Sequence, residues 1–206
     1  MKRKASDVLE NPFLYSLFQK LVKTQRYECH LDSLIGYPEN LRVLDYGCGP
    51  GDLYPRLSKS SYLGIDPSEN NIIRAKERFR NFERVPEFKI GDESLVRFLP
   101  KESFDLVIAI GVLHHMSNES VLEFLHSAAK ILKPTGIFLT LDPVRHLEES
   151  YLGGFLVGQD RGRNVRSPEG YLQLIRRDFD PMKCEIKSGM LRIPYDQFSM
   201  SCKKRI

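Results

Sequence analysis

The chain has 206 residues, 41% hydrophobic and 28% charged, enough for one globular domain with a substantial core. No apolar run approaches the roughly 18 residues of a membrane span, and no apolar stretch follows the basic start "MKRKASDVLENPF" as a secretory signal would require. The formal charge of +4, with a pI near 8.8, permits an anionic ligand without calling for nucleic acid, and Cys29, Cys48, Cys184 and Cys202 lack ligand spacing, as in a reduced, cytoplasmic protein with no metal site.

Residues 1–40, including "ENPFLYSLFQKLV", read as a helical cap ahead of the first strand. "LRVLDYG" then alternates into a buried strand that ends in Asp45, and Gly47, Gly49 and Gly51 follow at every second position. Glycines this dense mark a turn that needs φ > 0 or that something approaches closely. Strand, glycine turn and helix in sequence present backbone N–H groups to a ligand. The dinucleotide pattern G-x-G-x-x-G needs a small residue where this chain has Asp52, and a carboxylate there opposes a pyrophosphate. An acid-headed glycine turn suits a cationic ligand instead.

Further along, "SYLGID" (Ser61 to Asp66) is the second strand, followed by Pro67, Ser68 and a helix with Ile72, Ala75, Phe79 and Phe82 on one face. "PEFKIGD" closes a third strand at Ile90, and "FDLVIAIG" (Phe104 to Gly111) is apolar enough to be buried on both faces. Ser117 or Asn118 caps a helix in which Val121, Leu125, Ala128 and Leu132 recur, until Pro134 and Gly136 stop it. "GIFLTLD" (Gly136 to Asp142) is the fifth strand. Strands alternating with helices predict a parallel α/β sheet with ligands beyond the carboxyl ends of its strands. Asp45, Asp66, Asp92 and Asp142 follow four of the five strands, and His114 and His115 follow the other. Asp66, 21 positions after Asp45, suits a pair of ribose hydroxyls, whereas Asp92 can equally cap the segment starting at Glu93.

Taken together, "VLDYGCGPGDL", "SYLGIDPS", "FDLVIAIGVLHHM" and "ILKPTGIFLTLDP", which span Leu41 to Asp142, resemble the class I S-adenosylmethionine-dependent methyltransferases. The flanks are similar to a group of small bacterial members of that family. The resemblance implies a Rossmann-like, doubly wound, seven-stranded sheet, mostly parallel with an antiparallel last strand and helices on both faces. "KCEIKSG" and "QFSMSCKK" are its candidate final pair. It implies one domain over residues 1–206: the helical cap, a cofactor-binding core at 41–142, and an acceptor-side insert with the final strands at 143–206. It further implies S-adenosylmethionine as cofactor, held by Asp45, Gly47, Cys48, Gly49, Gly51, Asp66, Pro67, Asp92, Ile110 and Gly111.

The chemistry expected is methyl transfer to oxygen or nitrogen of a small acceptor. His115, or His114 in its place, stands ready to take a proton; the other reading is that one of them packs into the turn before Ser117. Between Pro143 and Ser167 the connection is longer than the usual two to six residues, ahead of a helix capped by Ser167 with Pro168 first. Tyr151, Arg161, Arg163 and Arg166 within it are the candidate contacts to a negatively charged acceptor, unless nearby acids pair with the arginines. An RNA or protein methyltransferase, or a noncatalytic cofactor-binding protein, is the alternative. Oligomeric state is not legible.

Overall fold

The computed structural model describes residues 23–145, 164–192 and 196–205. Helix α1 (Gln25–Ile35) starts where the Thr24 side chain accepts from the Tyr27 N–H, and it stops at Gly36, whose φ of 72° no longer continues a right-handed helix. Its buried residues, Tyr27, Leu31 and Ile35, fall four apart on one face. Strand β1 (Arg42–Tyr46), the short helix α2 (Tyr54–Leu57), β2 (Ser61–Asp66) and α3 (Glu69–Phe79) follow. Ser68 caps α3, which buries Ile72, Ala75 and Phe79. The expected fourth member of that face, Phe82, lies beyond the helix and is 44% exposed.

Next come β3 (Glu87–Ile90), α4 (Glu93–Val96), β4 (Phe104–Ile110), a 3₁₀ turn at Leu113–His115, α5 (Asn118–Ile131) and β5 (Leu132–Pro143). Ser117 caps α5 through the Ser120 N–H. The fifth strand starts at Leu132, four residues earlier than Gly136, because the backbone turns extended at Leu132 before Pro134 is reached. Its pairing with β4 jumps from Phe104↔Leu132 to Leu106↔Ile137, which absorbs the intervening residues as an irregularity. Ser167 caps α6 (Pro168–Ile175), with Pro168 first, as the sequence predicts. Then β6 (Phe179–Lys187) and β7 (Gln197–Lys204) complete the sheet. β6 reaches further back than "KCEIKSG" suggests: it passes through Pro181, which an edge strand tolerates at a register shift.

The seven strands lie in the order β3-β2-β1-β4-β5-β7-β6. β3, β2, β1, β4 and β5 are mutually parallel, and β7 runs against both neighbours. Alternation along the strands divides the core in two. Leu44, Tyr46, Val107, Ala109 and Phe138 join residues of α5 and α6 on one face. Val43, Leu106, Ile108, Leu139 and Leu141 join residues of α1, α2 and α3 on the other. Helices therefore cover both faces, and strand order reverses between β1 and β4, where a doubly wound sheet opens a crevice at its carboxyl edge. No helix among the described residues is long and apolar enough to cross a membrane.

Gly51 closes the turn after β1 against this second core. A Cβ there would lie 2.7 Å from Phe79 Cε2 and 3.0 Å from Phe88 Cζ, at a φ of 77°. Gly51→Ala should therefore lose about 2–4 kcal/mol of stability, from overpacking and the left-handed backbone together. Urea unfolding measures it, and a loss below about 1 kcal/mol would mean that the two rings give way freely.

Candidate active site

At the carboxyl edge the three glycines divide by what lies beside them. A Cβ on Gly47 would meet Val112 Cγ2 at 2.4 Å, and Gly51 is hemmed in by the two phenylalanines. Gly49, at a φ of 54°, has nothing within 4 Å of a Cβ. Packing thus excludes side chains at Gly47 and Gly51, whereas the space beside Gly49 is a cradle the protein leaves open. Cys48, between them, is buried beside Gly64, and burial pushes its thiol well up, so it is inert as a nucleophile.

Two acids at strand ends flank this loop, and one of them, Asp66, holds it. Asp66 Oδ2 accepts from the Gly49 N–H at 2.9 Å, while its Oδ1 accepts from the Ser68 N–H at 2.9 Å and Asn71 Nδ2 at 3.1 Å. Asp45 is 1% exposed and accepts from the Tyr62 hydroxyl at 2.6 Å. Desolvation, against the pull of that hydrogen bond and helped by the charges of Asp66 and Asp52, pushes the Asp45 carboxyl up to about 7. Asp52 itself pairs with Arg78 at 2.6 Å, so its charge is already matched within the chain. Asp92 is exposed and accepts from the N–H and hydroxyl of Ser94, and so caps α4. Pro67 is exposed beside Asp66, and Ile110 and Gly111, half-buried, end β4, where the Gly111 N–H donates to Leu141 O at 2.7 Å. A cavity of about 310 Å³ lies between the start of α1 and the end of the glycine turn, lined in part by Lys23, Thr24, Asp52 and Leu53. The strand-end acids Asp66 and Asp142 are not among its walls.

His114 and His115 sit in the 3₁₀ turn after β4, with ring centroids 3.9 Å apart. Their environments differ sharply. His114 is buried; its Nδ1 is 2.8 Å from Asp142 Oδ1, and its backbone N–H also donates to that oxygen at 3.2 Å. Thr140 donates to the other oxygen of Asp142 at 2.7 Å. His115 is exposed. Sequence reading marked Asp142 as a strand-end acid but missed it as the partner of His114; the available signal was Thr140 and Asp142 sharing one side of β5 through alternation.

Arg166 requires a correction. Expected to meet an anionic acceptor, its guanidinium is instead committed within the chain. Nε donates to Asn118 Oδ1 at 2.9 Å, Nη1 to Leu113 O at 2.8 Å and Asn164 O at 3.0 Å, and Nη2 to Met116 O at 2.8 Å. The partners are mostly carbonyls, not the acids that sequence reading considered. Arg166 therefore straps the histidine turn to the start of α6, and the Asn164 N–H adds a bond to His114 O at 3.1 Å. The Arg145 N–H donates to Arg166 O at 3.0 Å, and Val144 bridges Arg166, so the end of β5 is tied to the residues that lead into α6. Tyr151, Arg161 and Arg163 lie outside the described residues.

Comparison with known proteins agrees with this geometry. A family described as "Methyltransferase domain" matches residues 44–138. Over 101 residues the chain is 36% identical to a ubiquinone biosynthesis O-methyltransferase of Bradyrhizobium diazoefficiens, a match covering 48% of this chain and 38% of that protein. The chain thus spans well under half the length of that relative. Among solved structures, the PH0226 protein of Pyrococcus horikoshii superposes with a TM-score of 0.68 at 23% identity, over 88% of this chain and 92% of its own. The [4+2]-cyclase SpnF does so with a TM-score of 0.69 at 18% identity, over 88% and 81%. S-adenosylmethionine is the cofactor that the matched domain and the fold assign to this site.

The open cradle at Gly49 fits a ligand lying against the loop, and it yields a test. Gly49→Val fills that space, strains the backbone and loosens the hold of Asp66 on the loop N–H. S-adenosylhomocysteine binding measured by calorimetry should be lost, with a stability loss of only about 1–2 kcal/mol. Unchanged affinity would remove the loop from the cofactor site.

Proposed function

This chain carries the class I S-adenosylmethionine-dependent methyltransferase fold, and from that premise we propose that it methylates an oxygen or nitrogen of a small, negatively charged acceptor. The observation that carries this reading is the buried His114–Asp142 pair at the ends of β4 and β5. Bound S-adenosylmethionine supplies an electrophilic methyl on a sulfonium centre. The residues fit to hold it are Gly47 to Gly51, with Asp66 for hydroxyls and Asp45 for an ammonium. Asp142, accepting from the backbone N–H and Thr140, receives Nδ1–H of His114 as a further donor, which leaves Nε2 with its lone pair. That nitrogen is suited to take the proton of a hydroxyl or amine as it becomes a nucleophile. Of the two histidines, the burial and fixed orientation of His114 favour it over His115, the order opposite to the sequence expectation.

An oxygen nucleophile is supported by the O-methyltransferase named among the relatives. The negative charge on the acceptor rests on Arg161 and Arg163, Arg166 being committed elsewhere. Four cysteines without a disulfide among them support a cytoplasmic location. A second reading, a noncatalytic cofactor-binding protein, has its own support: the fold is shared with the [4+2]-cyclase SpnF, so the architecture is compatible with roles other than methyl transfer. Incubating candidate acceptors with methyl-labelled cofactor separates the two. Label in an acceptor supports methyl transfer; tight cofactor binding with no label in any product favours the second reading.

His114→Ala should lower turnover by about 10² to 10⁴ while leaving cofactor affinity within about twofold. Full turnover in that variant would leave catalysis to positioning alone.

Asp45 makes binding depend on pH. Its folded value, about 7, lies above the ordinary 3.8, so the empty protein holds an extra proton between those limits. The burial cost of the charge therefore appears as pH rises through that window. An ammonium beside Asp45 requires the ionised form and releases that proton on binding. S-adenosylhomocysteine affinity should rise by up to about tenfold per unit as pH increases towards 7, then level off. Asp45→Asn should flatten the profile. A flat profile in the unaltered protein would place the carboxyl away from the ammonium.

A further inference from the structure

Among the described residues, one buried side-chain nitrogen or oxygen has no hydrogen-bond partner: Nε2 of Gln197. Gln197 is 4% exposed and opens β7. Buried amides are almost always satisfied, so an orphan of this kind asks for a partner beyond the described residues. Because β7 runs against β5, its first residue lies at the carboxyl edge of the sheet, where Gln197 pairs with Pro143; Asp142, paired with Phe198, turns its side chain to the other face, so the two side chains approach each other around that edge.

Alternation puts Gln197 on the same face as Ser199, opposite Phe198. Helix α1 covers that face. Ser199, 3% exposed, is provided for: its hydroxyl is 3.1 Å from His30 Nε2 of α1, and it donates to Glu185 O at 3.4 Å. The start of α1 is itself tied down, with Thr24 donating to Met190 O from its N–H at 3.2 Å and from Oγ1 at 2.7 Å. Burial, then the charges of Glu28 and Asp142, push the Tyr27 phenol up, which puts α1 within electrostatic reach of the Asp142 end of β5. The fold thus satisfies this buried face one pleat down the strand and leaves it unsatisfied where it reaches the edge that carries His114 and Asp142.

We propose that Gln197 is a specificity-determining residue of the acceptor site, whose carboxamide N–H donates to an sp² oxygen, carboxylate or carbonyl, of the methyl acceptor. The proposal rests on the methyltransferase reading above. A neutral donor buried this deeply contributes little attraction from a distance. It discriminates at contact, because an acceptor without the oxygen leaves the amide unpaired again. Gln197 selects which oxygen is placed beside the strand ends.

Two measurements on the full chain test it. Gln197→Met keeps the volume and removes the orphan, so its melting temperature should rise by about 2–6 °C, with S-adenosylhomocysteine affinity unchanged. A melting temperature at or below that of the unaltered protein means that the amide is already satisfied, and overturns the proposal. In protein labelled with ¹⁵N-glutamine and loaded with S-adenosylhomocysteine, the side-chain amide resonances absent from Gln197→Met should shift on titration with 3,4-dihydroxybenzoate. They should not shift with 1,2-dihydroxybenzene, which lacks the carboxylate. Shifts from both probes, or from neither, overturn the recognition of an sp² oxygen. Failure of S-adenosylhomocysteine to bind at all would instead refute the methyltransferase reading, and the melting comparison would still judge Gln197.

Discussion

A carboxylate sealed from water must gather hydrogen-bond donors or give up its charge, and the carboxyl edge of this sheet is built around three such groups. Asp66 gathers three N–H donors, from the glycine loop, from Ser68 and from Asn71. Asp142 gathers a hydroxyl, a backbone N–H and an imidazole. Among the described residues Asp45 receives Tyr62 alone, and burial, which that hydrogen bond only partly offsets, pushes its carboxyl up to about 7. The positions of the loops follow from these demands. The turn after β1 is fixed by Asp66 on the next strand, and the turn after β4 by Asp142 on β5, so each loop is held by an acid from a neighbouring strand. The three acids also differ in provision: Asp66 and Asp142 gather three donors each, while Asp45 has the Tyr62 hydroxyl among the described donors.

How far the sequence revealed this depends on the distance along the chain over which each feature is decided. β2 runs from Ser61 to Asp66 as its pattern predicts, and Ser117, Ser167 and Pro168 occupy the capping positions expected of them. These are local decisions, made by a hydroxyl reaching an N–H three residues on. Phe82 fits the helical spacing of Ile72, Ala75 and Phe79, but the helix ends first, and a periodic pattern does not encode its own end. The start of β6 was hidden because Pro181 reads as a strand breaker until one knows that the strand lies at an edge.

The site shows the same division. Asp45 and the glycines stand out as one short motif, and Asp66 by its place at the end of β2. The pairing of His114 with Asp142 joins residues 28 positions apart, and that of Arg166 with Leu113 joins residues 53 apart. Nothing local distinguishes an arginine that binds a ligand from one that caps three carbonyls. The guanidinium fork suits both tasks, and only the fold shows that Met116, Leu113 and Asn164 present their oxygens to it.

The junction at Arg145 and Arg166 has a mechanical consequence. Its backbone hydrogen bond and bridge fasten the end of β5 to the residues that lead into α6, and the Arg166 guanidinium fastens those same residues to the histidine turn. Asp142, His114 and the entry to α6 are thereby clamped as one corner, so a displacement of α6 is transmitted to the His114–Asp142 pair instead of being absorbed between them.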